Sequence, residues 1–363
     1  MKFLSWILLL SIFLFISGYI VNGFVGATVS EPIEASENYR DGKFYNAEPR
    51  DRPGFGKMMG IMKRWFTEEK TDPEPTKPLP LLSVTPTQLD ALSKDELHLV
   101  KLGHSSMLLK VYGDYWLIDP VFSERASPFS FIGPKRFQPT PIKLADLPPI
   151  AKVLISHNHY DHLDKAAISA LASKTKQFLV PQGVEGDLQK WGVDQAKIIT
   201  FSWWQELKTD KALLAFTPTQ HFSGRGLSDG NKTLWGSWVI KTAKDSLYFS
   251  GDSGYFDGFK AIGEKYGPFD LTMIENGAYN VDWADIHMLP EEAVQAHIDL
   301  RGVAMLPVHN STFDLSFHPW YEPLERVSAE AKKQRVKLIT PLVGEVFTAK
   351  QSDIGAQWWL DSK

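Results

Sequence analysis

The sequence of 363 residues contains no cysteine. This absence excludes disulfide bonds, cysteine-ligated metal, a cysteine nucleophile and a lipoprotein acyl anchor, and it is compatible with an oxidising compartment. Long basic runs are also missing, and the formal net charge is −4, so no nucleic-acid partner is expected. The sequence shows no internal repeat or low-complexity tract, and its hydrophobic content of 43% is enough for a sizeable core.

One long apolar run stands at the start of the chain. Residues 3–30 follow Lys2 and carry no charge. A bilayer span takes about 20 residues, whereas the apolar part of a signal peptide takes about 7–15. We therefore predict a membrane anchor within residues 1–30, with the rest of the chain extracytoplasmic, on the periplasmic or outer face. Two alternatives are a signal peptide cleaved near Ala27, which would release a secreted protein, and a buried helix.

The next segment is predicted to be a tether and lead-in, covering residues 31–95. It is charged, and residues 71–82 are rich in proline. Residues 57–66 form an amphipathic helix candidate that we expect to pack on the domain. The alternative is a helix lying on a membrane interface. A single folded domain is expected over residues 96–363.

Short apolar runs separated by turns begin at residue 97 and indicate strands. The predicted strands are residues 97–103, 106–113, 115–120, 152–156, 212–219, 234–240, 246–252, 271–276 and 304–310. Helical patterns lie between or after them, at residues 164–174, 289–300 and 322–334. Asp164 is a suitable N-cap for the first of these helices, and Pro290 is typical of a helix start. Strands in series with helices predict a layered domain of the α+β or α/β type.

The stretch ISHNHYDHLD, residues 155–164, concentrates metal-binding side chains on one loop. The spacing of His157, His159, Asp161 and His162 directs four ligands towards a common centre, and the loop follows a predicted strand. Imidazole with carboxylate suits zinc and neighbouring transition metals. A catalytic zinc takes three protein ligands and an open position, so four ligands do not complete two centres.

Further ligands stand at the ends of later strands. His221 follows one predicted strand, Asp252 the next, and His309 a third. Seven ligands can hold two metal ions that share a carboxylate, each ion keeping an open position.

The ordered motifs resemble the metallo-β-lactamase superfamily, and within it the branch of N-acylphosphatidylethanolamine-hydrolysing phospholipase D and related bacterial hydrolases. The resemblance runs from about residue 100 to 310 and depends on LGHSSMLL, IDPVFSERASP, GPKRF, LPPI, ISHNHYDHLD, TPTQHF, LWGSW, SGDSGYF, GPFDL, GAY and PEEAVQAH. It implies a four-layered αββα sandwich. It also implies two zinc ions, with manganese or iron as alternatives. The first would be held by His157, His159 and His221, and the second by Asp161, His162 and His309, with Asp252 bridging.

The resemblance also implies a hydrolytic mechanism. A water-derived nucleophile would attack phosphorus or a carbonyl, with Asp252 orienting it and with Asp161 and His287 as further catalytic candidates. Asp119 is a candidate to orient a ligand imidazole. Candidates for substrate contact are His104, Lys135, Arg136 and Arg225; a structural histidine and solvated basic side chains are the alternatives.

The substrate expectation is a phospholipid, cleaved by a phosphodiesterase of phospholipase D type. A lactonase or esterase, including one for sugar-phosphate lactones, is the first alternative, and a non-enzymatic metal-binding envelope protein is the second. A homodimer remains open. Two features bear on the choice: an aromatic rim formed by Phe129, Phe131, Trp203 and Trp204 would suit an acyl chain. Asp282 and Asp285, by contrast, make residues 277–293 less basic than the longer corresponding stretch of the mammalian-type phospholipase.

Overall fold

Two seven-stranded β-sheets lie face to face in this computed structural model, which describes residues 38–50, 54–351, 355 and 357–363. In chain order the strands are β1 (Tyr39–Arg40), β2 (Lys43–Phe44), β3 (Leu97–Gly103), β4 (Ser106–Val111), β5 (Asp114–Ile118), β6 (Ile150–Leu154), β7 (Thr175–Pro181), β8 (Ile198–Phe201), β9 (Glu206–Lys208), β10 (Ala212–Thr217), β11 (Ser237–Thr242), β12 (Ser246–Phe249), β13 (Phe269–Glu275), β14 (Gly302–Val308), β15 (Lys337–Leu338) and β16 (Val346–Thr348). The first sheet has the order β16-β3-β4-β5-β6-β7-β8, and the second β15-β14-β13-β12-β11-β10-β9.

Seven α-helices are described outside the sheets, and six of them cover the outer faces of the sheets. They are α1 (Phe55–Thr67), α2 (Pro86–Ala91), α3 (Lys165–Leu171), α4 (Glu185–Lys190), α5 (Gly258–Tyr266), α6 (Pro290–Asp299) and α7 (Glu322–Gln334). The predicted N-cap of α3 is confirmed, because the Asp164 carboxylate accepts hydrogen bonds from Ala166 N and Ala167 N. Pro290 stands in the first turn of α6, where its missing N–H costs nothing.

Alternation along the strands divides the core into layers. In β3, Leu97 and Leu99 join the apolar layer between the two sheets, while Val100 and Leu102 point to the opposite face. That outer face of the first sheet is covered by α2, α3 and α4, and the outer face of the second sheet by α5, α6 and α7. The expected four-layered αββα arrangement is therefore confirmed.

The predicted anchor, residues 1–30, lies outside the described residues. Across the ranges that the structure describes, none of the helices combines the length and apolarity that a membrane crossing requires.

The tether prediction for residues 31–95 is wrong for residues 38–50. Phe44 is fully buried in the layer between the sheets, and its N–H donates to Asn231 O at 2.8 Å. Asn46 reaches the loop after β10, where its amide contacts the backbone of His221. A solvated tether has no such partners, so the folded domain begins well before residue 96.

We expect Phe44→Ala to lower the free energy of unfolding by about 3–5 kcal/mol, as for other buried phenylalanines. The matched control is Phe55→Ala, since Phe55 is 75% exposed, and it should change stability by about 0.5 kcal/mol or less. Urea denaturation monitored by circular dichroism measures both. Equal, small effects would contradict the inclusion of residues 38–50 in the cooperative unit.

Candidate metal centre

Strand ends from both sheets converge on one edge of the sandwich. The loop carrying His157 to His162 follows β6, His221 follows β10, Asp252 follows β12, and His309 comes directly after β14. Gly251 permits the approach of Asp252, because it has φ +56° and an added Cβ would lie 2.7 Å from Gly236 O. The fold thus brings together the seven ligands predicted from the sequence.

The first cluster contains His157, His159, His221 and Asp252. His159 Nδ1 lies 2.9 Å from His157 Nε2 and 3.2 Å from His221 Nε2. The Asp252 carboxylate lies 3.6 Å from His157 Nε2 and 3.7 Å from His221 Nε2. Three imidazole nitrogens and one carboxylate therefore face a common point.

The second cluster contains Asp161, His162, His309 and also His104. Asp161 Oδ2 lies 3.0 Å from His104 Nε2, 3.1 Å from His309 Nε2 and 3.6 Å from His162 Nε2. Asp252 joins the two clusters, since its Oδ1 is 3.0 Å from His162 Nε2 and its Oδ2 is 3.2 Å from His309 Nε2. This is the position that the resemblance implies for a bridging ligand.

These donors fit metal ions. Within each cluster the candidate ligand atoms lie within 4.8 Å of one another, and tetrahedral zinc with bonds of about 2.0–2.1 Å separates its ligands by roughly 3.3 Å. His162 Nε2 and Asp252 Oδ1 are buried 3.0 Å apart, and neither makes a well-oriented hydrogen bond among the described residues. Buried polar atoms without partners are costly, and a shared cation would satisfy both.

Burial and charge divide the imidazoles into two groups. Desolvation lowers the pKa of His159 to about 4 and takes the pKa values of His157 and His221 well below their usual range, so these rings are neutral at pH 7. Desolvation also acts to lower the pKa of His309, but the Asp252 and Asp161 carboxylates raise it to about 10. The same carboxylates raise the pKa of His162. A divalent cation bound at the second cluster would replace those protons.

A second set of residues fixes the ligands from behind. Asp119 Oδ2 lies 2.7 Å from His162 Nδ1, and its Oδ1 accepts from Ser156 N at 2.7 Å. Asp119 therefore has the ligand-orienting position considered from the sequence. His221 Nδ1 faces Ile286 O at 2.9 Å. Such contacts set the tautomer of a ligand imidazole and aim its other nitrogen at the metal.

His287 lies beside the clusters without joining either four-residue set. Its Nδ1 is 2.8 Å from Glu275 Oε2, and the other Glu275 oxygen accepts from Met288 N at 2.8 Å. Burial raises the pKa of Glu275. The Nδ1 nitrogen of His287 is thus committed to Glu275, which leaves Nε2 for the adjoining cleft. Glu275, His287 and His309 also form a third group with metal-binding geometry.

A cleft of about 340 Å³ opens over the metal ligands. His159, Asp161, Asp252, His287 and His309 form its floor. Its walls are largely apolar or aromatic, formed by Ile61, Trp65, Phe222, Ala278, Trp283, Ile286 and Leu315, with Arg50, Asp282 and Asp285 as the charged members.

The predicted substrate contacts do not line this cleft. His104 is 1% exposed and lies behind Asp161, so it positions that ligand. Lys135 pairs with Glu124 on a separate loop. Arg136 donates to Val121 O at 2.7 Å, and Arg225 donates to Asn158 O and Leu163 O. These residues were predicted to contact substrate; the structure corrects this, because none of the four lines the cleft over the ligands, and the guanidinium groups of Arg136 and Arg225 are bound to backbone carbonyls.

The predicted aromatic rim is also wrong, because none of its four residues lines this cleft. Phe129 lines a different cavity beside Arg225, Trp203 packs on the core and donates to Trp235 O, and Trp204 lies under Lys265. Phe131 is exposed but stacks on Phe129, away from the metal ligands. The aromatic walls of the cleft come instead from α1 and from the loops that carry Phe222 and Trp283.

Sequence reasoning missed Glu275 and Asn46. Glu275 is fully buried at the end of β13, and the presence of a carboxylate at the end of an otherwise apolar strand was the available signal. Asn46 stands in a segment without any recognisable pattern, and only the fold shows its contact with His221.

Comparison with known proteins supports the same assignment. A sequence model described as a beta-lactamase superfamily domain matches residues 115–310. The N-acyl-phosphatidylethanolamine-hydrolyzing phospholipase D 1 of Caenorhabditis elegans is 33% identical over 356 residues, covering 89% of this chain and 98% of that protein. An uncharacterized protein of Mycobacterium bovis is 43% identical over 324 residues, covering 88% of this chain and 86% of its own.

Solved structures agree on the fold. Igni18, a metallo hydrolase from Ignicoccus hospitalis, has a TM-score of 0.55 and 23% identity, covering 69% of this chain and 97% of that protein. Fold, ligand clusters and relatives together define a metal-dependent hydrolase, so the chain is an enzyme. It belongs to the metallo-β-lactamase superfamily, in the branch that contains N-acylphosphatidylethanolamine-hydrolysing phospholipase D, as the sequence motifs predicted.

Removing the charge of Asp119 should weaken metal binding although no metal ligand is replaced. We expect Asp119→Asn to lower metal affinity about 10–100-fold, because His162 loses its charged hydrogen-bond partner. Competition against a chromogenic chelator measures the affinity. The control is Asp270→Asn, which alters an aspartate that accepts from Ser246 N at the far end of β13. Equal affinities in both variants would contradict the role of Asp119.

Proposed function

We propose that this enzyme is a binuclear zinc phosphodiesterase of phospholipase D type that acts on N-acylphosphatidylethanolamine-like lipids. The proposal is supported chiefly by one observation: a largely apolar cleft leads directly to two adjoining ligand clusters. A phosphodiester with acyl chains matches that combination of an apolar wall and a floor able to hold metal cations. The phospholipases of Caenorhabditis elegans and of Saccharomyces cerevisiae, the latter 30% identical over 310 residues, support the same substrate class.

Two ions held at these clusters would activate water and neutralise charge on the phosphoryl oxygens. The protein supplies orientation and a proton. Asp252 contacts ligands of both clusters and so fixes their separation. His287, held through Nδ1 by Glu275, points Nε2 to the cleft, where it can protonate the departing oxygen. The apolar walls exclude water from the reacting phosphodiester.

The apolar run at residues 3–30 supports action at a membrane. An anchor there would hold the domain beside its lipid substrate on the extracytoplasmic side. This part of the proposal depends on the sequence alone.

A release assay tests the substrate class. The purified, zinc-loaded enzyme is given N-acylphosphatidylethanolamine, phosphatidylethanolamine, a simple lactone and a generic phosphodiester, each beside an Asp252→Asn control. We expect phosphatidate release from the N-acylated lipid to be the fastest reaction, and to be absent in the control because the shared ligand has lost its charge. Turnover of the lactone alone would contradict the proposal and would favour a lactonase.

The role of His287 has its own test. We expect His287→Gln to lower kcat by about 10²–10⁴-fold, since proton transfer to the leaving oxygen is lost. Metal content, measured by atomic emission, should be unchanged. His98→Gln is the matched control, because His98 lies on β3 outside the ligand clusters, with its Nε2 3.8 Å from the Glu96 carboxylate. A loss of metal in the His287 variant would show that His287 is a metal ligand and not the proton donor.

A further inference from the structure

Helix α1 carries its apolar stripe on the side that faces solvent. Phe55 and Phe66 are 75% and 86% exposed, and Met58, Met59 and Met62 are 51%, 43% and 45% exposed. At 100° per residue these five positions fall on one face of the helix. None of the residues of α1 is buried.

The opposite face of α1 holds the helix to the domain. Arg64 and Lys57 pair with Asp282, and the Trp65 ring lies 4.8 Å from the Phe317 ring. Ile61 and Trp65 form part of the cleft wall. An ordinary surface helix turns its apolar stripe to the core and its charges to water. The arrangement in α1 is the reverse, so the stripe is left uncovered by the residues that the structure describes.

We propose that this stripe, Phe55, Met58, Met59, Met62 and Phe66, docks on the surface of a phospholipid bilayer and sets the mouth of the cleft against the lipid. The inference rests on the proposed function, because a lipid substrate must enter from a bilayer. The same helix forms the outer apolar stripe and the inner cleft wall, so docking places the cleft next to the lipid headgroups.

The surroundings of the stripe suit this partner. Lys63 is exposed beside it, where its ammonium group can meet lipid phosphates. An apolar face flanked by a basic side chain is typical of helices that lie in the plane of a membrane interface.

A second copy of the chain fits this surface less well. The helix has 13 residues, so its stripe is ~20 Å long and ~10 Å wide, or roughly 200 Å². Stable protein interfaces bury about 800 Å² on each partner. Pairing through the stripe would also bring the two Lys63 side chains together.

The absence of cysteine makes a direct test available in the full chain. Met59→Cys, labelled with an environment-sensitive fluorophore, is reconstituted in phosphatidylcholine–phosphatidylglycerol vesicles. Val303→Cys, at a 57% exposed apolar position on β14, is the control. A membrane anchor at residues 1–30 would hold both variants at the vesicle equally. We expect a nitroxide lipid to quench the label at position 59 at least threefold, with iodide having little effect, and the reverse at position 303.

Other occupants give different outcomes. Quenching of position 59 by iodide, as at position 303, would show an exposed stripe and overturn the proposal. Protection from both quenchers would also overturn it, because the stripe would then be covered by protein, either a second copy or the chain's own residues 1–37.

A kinetic measurement completes the test. We expect Met58→Ser combined with Met62→Ser to lower turnover of vesicle-borne lipid about tenfold and to leave turnover of a short-chain, monomeric phosphodiester unchanged; Val303→Ser should affect neither. Equal losses on both substrates would contradict docking. If lipid quenches position 59 but no phosphodiester is cleaved, the proposed function fails and docking stands. If phospholipid is cleaved while position 59 stays in water, docking alone fails.

Discussion

Two carboxylates are buried where the sheets meet, and their neutralisation governs the arrangement around them. The side chains of Asp161 and Asp252 are 14% and 2% exposed, and imidazoles approach them from four different loops. A buried carboxylate needs opposite charge or donors, and a single unpaired one would be strongly destabilising. Protonated His162 and His309 supply that charge in the protein alone, and a divalent cation supplies it when the rings are neutral. A divalent cation bound in this ligand geometry would therefore replace the protons of His162 and His309.

That geometry depends on residues that never face the substrate. Asp119 holds His162, and Asn46 contacts the backbone of His221. Arg225 donates to Asn158 O and Leu163 O and thereby ties both ends of the ligand loop. These contacts connect the hairpin region at residues 38–50, the end of β5 and the loop after β10 to one centre. The clusters are thus a product of the whole edge of the sandwich, and not of the histidine-rich loop alone.

Ligand identity could be read from the sequence because it depends on residue type and order. Some strands could be read as well: β3 begins and ends as predicted, since its alternating residues face two apolar layers, whereas β7, β8 and β9 were not predicted. The directions in which side chains point could not be predicted from the sequence. Arg136 and Arg225 look like anion contacts in the sequence, but their partners are carbonyls distant along the chain. His104, Asp119 and His309 have left-handed φ values of 52°, 41° and 63°. No local sequence pattern predicts this backbone conformation.

The acidic loop after β13 illustrates how structure changes the meaning of a charge. In the sequence, Asp282 and Asp285 disfavour binding of an anionic headgroup, because the resemblance to the mammalian-type enzyme implies a more basic stretch at this place. In the fold, Asp282 pairs with Arg64 and Lys57, and Asp285 accepts from Arg50 at 3.0 Å. These ion pairs hold α1 and the segment before it over the cleft. The loop therefore does not oppose a phosphodiester; it positions the helix whose inner side chains form the apolar wall.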